Sequence, residues 1–290
     1  MGIVYLLTDF GSRDPYVGIL KSRISIINPK SRILDLSHEL IPYDIEYASW
    51  FLYYCYKNLE KPFILCMVVD PGVGTERKPV VINVQRSYLI LPDNGLISVL
   101  LRDPKINSKI EYYEILPIKL KEIYLDQLKN YRLEYNISST FHGRDIFAPA
   151  TGLLSKNPSF LKKFTNKIKY IHLNENVSVP EYVNFNHSKQ FKGKIVYYDH
   201  FGNLFTNLYY DTYDINQSKK IRLRIFEGDR MILDINGLSK TFGHKDKNDF
   251  LFYVGSFGFI EIAKNQNSAF LEWKDWERIK RFDVLLEYVG

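Results

Sequence analysis

Cysteine is nearly absent from this chain. Cys55 and Cys66 are the only two in 290 residues, too few for a disulfide framework or a four-cysteine zinc site. One falls in a Tyr-rich stretch and the other in an apolar run, so both are expected as small core residues in a reducing setting. Long hydrophobic runs are missing as well. No stretch is long enough to span a bilayer. The run Ile3 to Leu7 is too short for a signal sequence and passes straight into Thr8-Asp9-Phe10-Gly11. A cytoplasmic location without a membrane partner is the expectation. Concentrated charge is also lacking. The net charge is +6, but the lysines are scattered, with only short pairs such as Lys162-Lys163 and Lys219-Lys220. A nucleic-acid groove needs a focused basic patch, so no nucleic-acid partner is expected. There is no P-loop, no GxSxG, no full GxGxxG and no HExxH or HxH pair. Internal repeats and low-complexity tracts are absent too.

What is present is a chain that is 46% hydrophobic, enough for a sizeable core. The first part alternates apolar runs with helical spacing. Ile3 to Thr8 reads as a strand, Tyr16 to Ile27 as a helix opened at Asp14-Pro15, and Arg32 to Leu36 as a second strand. Ile45 to Tyr56 reads as a helix opened by Asp44, and Phe63 to Val69 as a fully buried strand. Strand, helix, strand, helix, strand is the pattern of a parallel sheet covered by helices. Pro79 to Val84 and Ser87 to Leu91 read as a hairpin across Gln85-Arg86. Glu111 to Leu116 reads as a strand, and Lys119 to Leu128 and Ile146 to Leu154 as helices. From Asn157 to Lys192 the pattern dissolves, which places a domain boundary near residue 175. Beyond it, short strands with Gly and Asn turns predict a small barrel or sandwich. The expected architecture is an N-terminal α/β sheet domain over residues 1–175 and a C-terminal all-β barrel domain over residues 176–290.

The stretch Val68-Val69-Asp70-Pro71-Gly72-Val73-Gly74-Thr75-Glu76-Arg77 is the most pointed. A buried strand ends in an acid, a proline that cannot extend a ladder, and two glycines that permit unusual angles and close approach. Arg77 follows seven residues after the acid. Asp9, Asp35 and Asp93 also stand at predicted strand ends or in a turn. Ligands in open α/β sheets bind beyond the carboxyl ends of the strands, so these acids are expected to gather in one crevice. Phe141-His142-Gly143-Arg144-Asp145 supplies an imidazole, a guanidinium and a carboxylate. Histidine is the commonest general base near neutral pH, while an Arg144–Asp145 pair opening a helix is the plainer reading. Asp9, Asp14, His38, Asp70 and His142 are numerous enough for metal ligation but lack a tight pair, and no metal is expected. Asp199 to Asn203, with Thr206-Asn207, reads as a polar turn whose acid and amide could meet an amino group and a purine edge.

In chain order these stretches closely resemble one family, the S-adenosylmethionine hydroxide adenosyltransferases. These are adenosine-forming S-adenosylmethionine hydrolases, related to fluorinases and chlorinases. Thr8-Asp9-Phe10-Gly11, Asp14 to Gly18, Asp35-Leu36-Ser37-His38, Val69 to Thr75, Pro92-Asp93-Asn94-Gly95, Phe141 to Asp145 and Asp199 to Asn207 carry the likeness. It implies displacement at the ribose 5′ carbon of S-adenosylmethionine by water or hydroxide, with no cofactor, giving adenosine and methionine. The reacting set would be Asp70, Arg77 and His142. Asp9 would hold the ribose, Asp14, Asp199 and Ser256 the methionine part, and Asn203 the adenine. Gly143 joins the substrate-binding set, and the aromatics Tyr43, Phe141 and Tyr16 would wall out water around the sulfonium. The resemblance also implies a homotrimer with sites shared between neighbouring subunits. The chain departs from the expected pattern at Gly255, which replaces a common asparagine, at Phe257, where halogenating relatives carry arginine, and at Tyr16, where they carry serine. Two other readings compete: a halide-using adenosyltransferase, and a binding protein for S-adenosylmethionine or adenosine without turnover.

Overall fold

Two five-residue apolar runs, each buried along its whole length, form the middle of the first sheet: β1 (Val4–Thr8) and β3 (Ile64–Val68). Strands buried on both faces need cover on both sides. On one face α1 (Tyr16–Ile27) packs with its buried stripe Val17, Leu20, Ile24 and Ile27. On the other lies α2 (Ile45–Asn58), whose Tyr56 meets Phe63 edge-on, as does Tyr5 of β1. Asp44 caps α2 by accepting the Tyr47 N–H at 3.0 Å. Pro15 stands at the start of α1, and no side chain caps that helix. Between the two helices runs β2 (Ile33–Ser37).

The structure, a computed structural model, describes residues 3–107, 110–129, 131, 135–175, 177–178, 181–185, 188–209 and 220–289. The chain divides into two units, Met1–Glu175 and Asn176–Gly290. The first continues through the hairpin β4 (Pro79–Val84) and β5 (Ser87–Pro92), then α3 (Ser98–Arg102), α4 (Pro104–Asn107), β6 (Ile110–Ile115) and α5 (Pro117–Gln127). A π-helical turn at Gly143–Phe147 leads into α6 (Ala148–Lys156), followed by α7 (Leu161–Phe164) and β7 (Thr165–Ile168). The seven strands run in the order β2-β1-β3-β5-β4-β6-β7. The first four are mutually parallel, and β4, β6 and β7 pair antiparallel. The sheet is therefore mixed. Its core gathers Leu6, Cys66, Val68 and Ile90 under Ile24, Phe147 and Leu153, each worth about 1.5–3 kcal/mol when fully buried.

The second unit is antiparallel throughout: β8 (Glu181–Phe185), β9 (Ser188–Tyr198), β10 (Leu204–Tyr209), β11 (Lys220–Glu227), β12 (Arg230–Asn236), β13 (Phe250–Val254), β14 (Phe259–Lys264) and β15 (Asp283–Val289), with a short α8 (Trp276–Ile279). The order is β12-β11-β15-β9-β10-β14-β13, with β8 beside β9. The edge strands β12 and β13 come into contact, so the sheet is a nearly closed barrel. The α/β-then-barrel architecture expected from the sequence is the one observed.

Three elements depart from the sequence reading. The stretch from Asn157 to Lys192 holds α7, β7, β8 and the start of β9, although its composition is polar. Thr206 and Asn207 lie inside β10 and not in a turn. Both are buried because the Thr206 hydroxyl donates to the Ile260 carbonyl at 2.8 Å and Asn207 Oδ1 accepts the Lys194 N–H at 2.9 Å. Asp35 sits within β2, not at its end. Among the described residues, no helix is long and apolar enough to cross a membrane.

Candidate active site

The chain places β2 beside one flank of β1 and then crosses back to lay β3 on the other. That reversal opens a crevice at the carboxyl ends of β1 and β3, where ligands of such sheets bind. Thr8 is level with Val68, so the residues leaving the two strands emerge side by side. Asp9 follows one and Val69-Asp70 the other. Both acids line a cavity of about 580 Å³, a size suited to a small ligand.

The loop after β3 is shaped by Gly74. Its φ is +80°, and a Cβ there would stand 2.4 Å from the Ser139 carbonyl oxygen. Only glycine lets the two backbones approach so closely. This contact lays the Asp70–Arg77 loop against the Ser138–Arg144 segment. Gly72 has no such constraint from φ; its nearest neighbour would be the Thr75 hydroxyl at 3.3 Å.

The Asp70 and Arg77 side chains are only 4% and 8% exposed. Arg77 grips the carboxylate through two bonds, Nε to Oδ1 at 2.9 Å and Nη2 to Oδ2, the bidentate geometry in which guanidinium is strongest. The Phe147 ring lies under the guanidinium, 5.4 Å from its carbon. Nη2 also meets His142 Nδ1 at 2.7 Å. Arginine can only donate, so Nδ1 is the acceptor and the neutral ring carries its proton on Nε2. Burial, and secondarily Arg77, hold the imidazole below its ordinary pKa, with Asp70 and Asp145 pulling the other way. Among the described residues, none offers a hydrogen-bond partner to the buried Arg77 Nη1.

His142 immediately precedes the π-helical turn, a widened turn common at functional sites. Arg144 lies within that turn and lines the cavity, but its guanidinium is turned to Asp145. Its Nε and Nη2 bind Asp145 at 2.6 and 2.8 Å. Asp145 is 1% exposed and also accepts the Ser138 N–H. The plainer reading of that pair, an ion pair opening a helix, therefore holds, and the pair fixes the segment that carries His142.

Asp9 accepts the Tyr43 N–H at 3.1 Å. Its pKa is raised mainly by burial, opposed by that hydrogen bond, with the nearby Asp70 charge adding to the rise. Tyr43 itself has a φ of 66° and leaves its ring 71% exposed at the cavity. A bulky residue in this region is strained by about 1–3 kcal/mol. Phe10, Tyr16 and Phe141 form a triangle of edge-on rings 5.3 to 6.0 Å apart along the wall. Gly143 makes room for them, since a Cβ there would lie 3.2 Å from Phe141 and 3.3 Å from Phe10.

Other expected positions fall elsewhere. Asp14 is exposed on the turn before α1 and does not line the cavity. Asp35 pairs with Lys21 at 2.5 Å and with His38 Nε2 at 3.1 Å, and His38 Nδ1 bonds Thr8 Oγ1 at 2.8 Å. Asp93 accepts the His172 N–H at 2.7 Å. The four acids do not gather in one crevice: only Asp9 and Asp70 reach it, because β2 ends beyond Asp35 and the turn after β5 draws Asp93 toward His172. Asp199, Asn203 and Ser256 belong to the second unit. Asp199 accepts both the N–H and the side-chain Nδ2 of Asn203 at 2.8 Å, while Ser256 is exposed between β13 and β14. Sequence reasoning missed Ser138 and Thr140, which line the cavity; their polar stretch gave no periodicity to flag them. Cys66 is buried and Cys55 half-buried, both free, with burial pushing each thiol up to about 12. Among the described residues no group of three or more His, Cys, Asp or Glu could hold a metal ion.

Sequence comparisons bear on both units. Residues 4–163 match the SAM hydroxide adenosyltransferase N-terminal domain and residues 193–274 the corresponding C-terminal domain. A protein of Methanocaldococcus jannaschii named (R)-S-adenosyl-L-methionine hydrolase is 30% identical over 93% of this chain and 90% of its own. A protein of the same name from Thermus thermophilus is 29% identical over 92% and 93%. A fluorinase from Actinoplanes is 23% identical over 91% of each chain. The crystal structure of an uncharacterized conserved protein from Thermotoga maritima superposes with a TM-score of 0.79 at 28% identity, covering 98% of this chain and 99% of that one. The chain belongs to the SAM hydroxide adenosyltransferase family.

Proposed function

We propose that this protein hydrolyses S-adenosyl-L-methionine to adenosine and L-methionine, and that the diastereomer it takes is the one with R configuration at sulfur. Family membership and the activity named for its full-length relatives support the reaction. The observation that carries it is the junction of Asp70, Arg77 and His142 at a cavity that also holds Asp9.

The chemistry follows from charge. A sulfonium leaves as a neutral thioether, so no acid or metal is needed to expel it. The demanding step is placing a water oxygen in line behind C5′ and relieving it of a proton. His142 Nδ1 is occupied by Arg77, so its Nε2–H donates to the water oxygen and orients it. Asp70, held by Arg77, accepts the water proton. The C5′–O bond forms as the C5′–S bond breaks, and the electron pair stays on sulfur. Arg77 offsets the negative charge that gathers between water and Asp70. The rings of Phe10, Tyr16 and Phe141 exclude competing water and face the sulfonium. Asp9 takes the ribose hydroxyls.

The methionine contacts Asp14, Asp199 and Ser256 and the adenine contact Asn203 complete the assignment by family resemblance. That resemblance also carries a homotrimer in which sites are shared between neighbouring subunits, and a cytoplasmic setting suits two reduced cysteines. Light scattering on the purified protein tests the trimer.

The test of function is incubation with each sulfonium epimer, with products separated by chromatography. Adenosine and methionine from the R epimer are expected. Added chloride should yield no 5′-chloro-5′-deoxyadenosine. Intact substrate after long incubation would reduce the protein to a binding module.

A further inference from the structure

The second unit carries a buried carboxylate that the reaction above does not use. In its barrel, Leu204, Phe252 and Ile262 point into the core. Their neighbours therefore stand on the opposite face. There Glu261 of β14 lies level with Phe205 of β10 and Tyr253 of β13. A charged residue on that face is ordinarily solvated, yet Glu261 is 5% exposed. The Tyr253 hydroxyl donates to Oε2 at 2.7 Å, and Oε1 accepts no hydrogen bond from any described residue. Burial pushes the carboxyl up to about 7, the Tyr253 bond opposes the rise and the Asp199 charge adds to it. Among the described residues neither Glu261 nor Asp199 is paired with Lys or Arg.

Gly255 bears the imprint of this side chain. A Cβ on Gly255 would stand 1.6 Å from Glu261 Oε1 and 2.1 Å from its carboxyl carbon. Oε1 thus fills the place where residue 255 would begin a side chain, at the turn that carries Ser256. Any side chain at 255 would displace Glu261, and Phe257 supplies no cation to neutralise it; its ring packs tilted against Phe205 at 6.3 Å.

We propose that Glu261 is a further specificity-determining residue, whose Oε1 acts with Asp199 to receive the α-ammonium group of the methionyl half of S-adenosylmethionine. The assignment rests on the hydrolase reading above. An ammonium has three donors and no acceptor, and the two carboxylates supply acceptors without competing donors. A cation set between two nearby acids cancels their repulsion and repays the desolvation of Glu261.

The test is steady-state kinetics with S-adenosylmethionine and its deamino analogue, which lacks only the ammonium. The wild-type enzyme is expected to favour the natural substrate by tenfold or more in kcat/KM, roughly the worth of one hydrogen bond to a charged group. Glu261→Gln should erase most of that preference through a higher KM for the natural substrate, and Gly255→Ala, which forces Oε1 aside, should do the same. Melting curves establish that both variants fold. Equal losses on the two substrates would mean a packing role and overturn the assignment. A wild-type enzyme indifferent to the ammonium would overturn it with no variant needed. Hydrolysis of neither substrate by the wild type would defeat the hydrolase reading and this assignment with it, a pattern distinct from the other two.

Discussion

Asp70 and Glu261 are both acids on strands or strand ends, both largely buried, and their surroundings treat them in opposite ways. Asp70 is clasped by a guanidinium through two hydrogen bonds. Glu261 has a single phenol hydroxyl and a second acid nearby, and its pKa climbs to about 7. The first environment sets a fixed cation against the carboxylate. The second keeps an acid short of a cation, which a ligand can bring. The comparison teaches that the partner, more than the depth of burial, decides what a buried carboxylate can do.

The largest break in this comparison should come at Asp70. Asp70→Asn is expected to cut kcat by about a thousandfold while ligand binding stays measurable by calorimetry. A loss of only a few fold would place the proton elsewhere. Arg77→Met follows. It strands Asp70 in a buried site, so a stability loss of about 3 kcal/mol should accompany a turnover loss of about a hundredfold, read by denaturant titration and initial rates.

The pH dependence sharpens the same contrast from the His142 side. Burial and Arg77 disfavour the imidazolium, so the folded ring stays neutral below the ordinary value of 6.5. Protonation would set two cations face to face and remove the Nδ1 acceptor. The kcat/KM profile should therefore stay level as pH falls through 6.5 and decline only below it. The sign for stability is the same. The unfolded chain takes up this proton first, so the His142 contribution is lost as pH falls through 6.5 toward the lower folded value. An acid limb at or above pH 7 would contradict this placement. A smaller effect separates two neighbouring glycines. Gly74→Ala should cost about 2 kcal/mol and lower activity, because it drives a methyl group into Ser139. Gly72→Ala should cost less than about 1 kcal/mol. Melting of the two variants side by side checks the difference.

Much of the frame was legible because it rests on local patterns. Apolar runs ending in acids marked β1 and β3, and the rule for open sheets brought Asp9 and Asp70 together. The same rule failed for Asp35 and Asp93, since position in the sheet and the pull of a neighbouring turn decide which strand ends face the crevice. β10 was hidden because Thr206 and Asn207 look like turn residues until their hydrogen-bond partners in Ile260 and Lys194 are seen. Glu261 was invisible for a related reason. Alternation marks it as an ordinary outward residue, and only the close approach of Gly255, a tertiary fact, reveals that it is enclosed. The tautomer of His142 likewise depends on Arg77, a contact 65 residues away in sequence.

The central claim is that an oxygen from water attacks C5′ as sulfur departs. A reaction run in ¹⁸O-enriched water, with products analysed by mass spectrometry, tests it most directly. One ¹⁸O atom is expected in the 5′-hydroxyl of adenosine and none in methionine. Unlabelled adenosine, or methylthioadenosine from cleavage of the bond between sulfur and the methionyl Cγ, would contradict it.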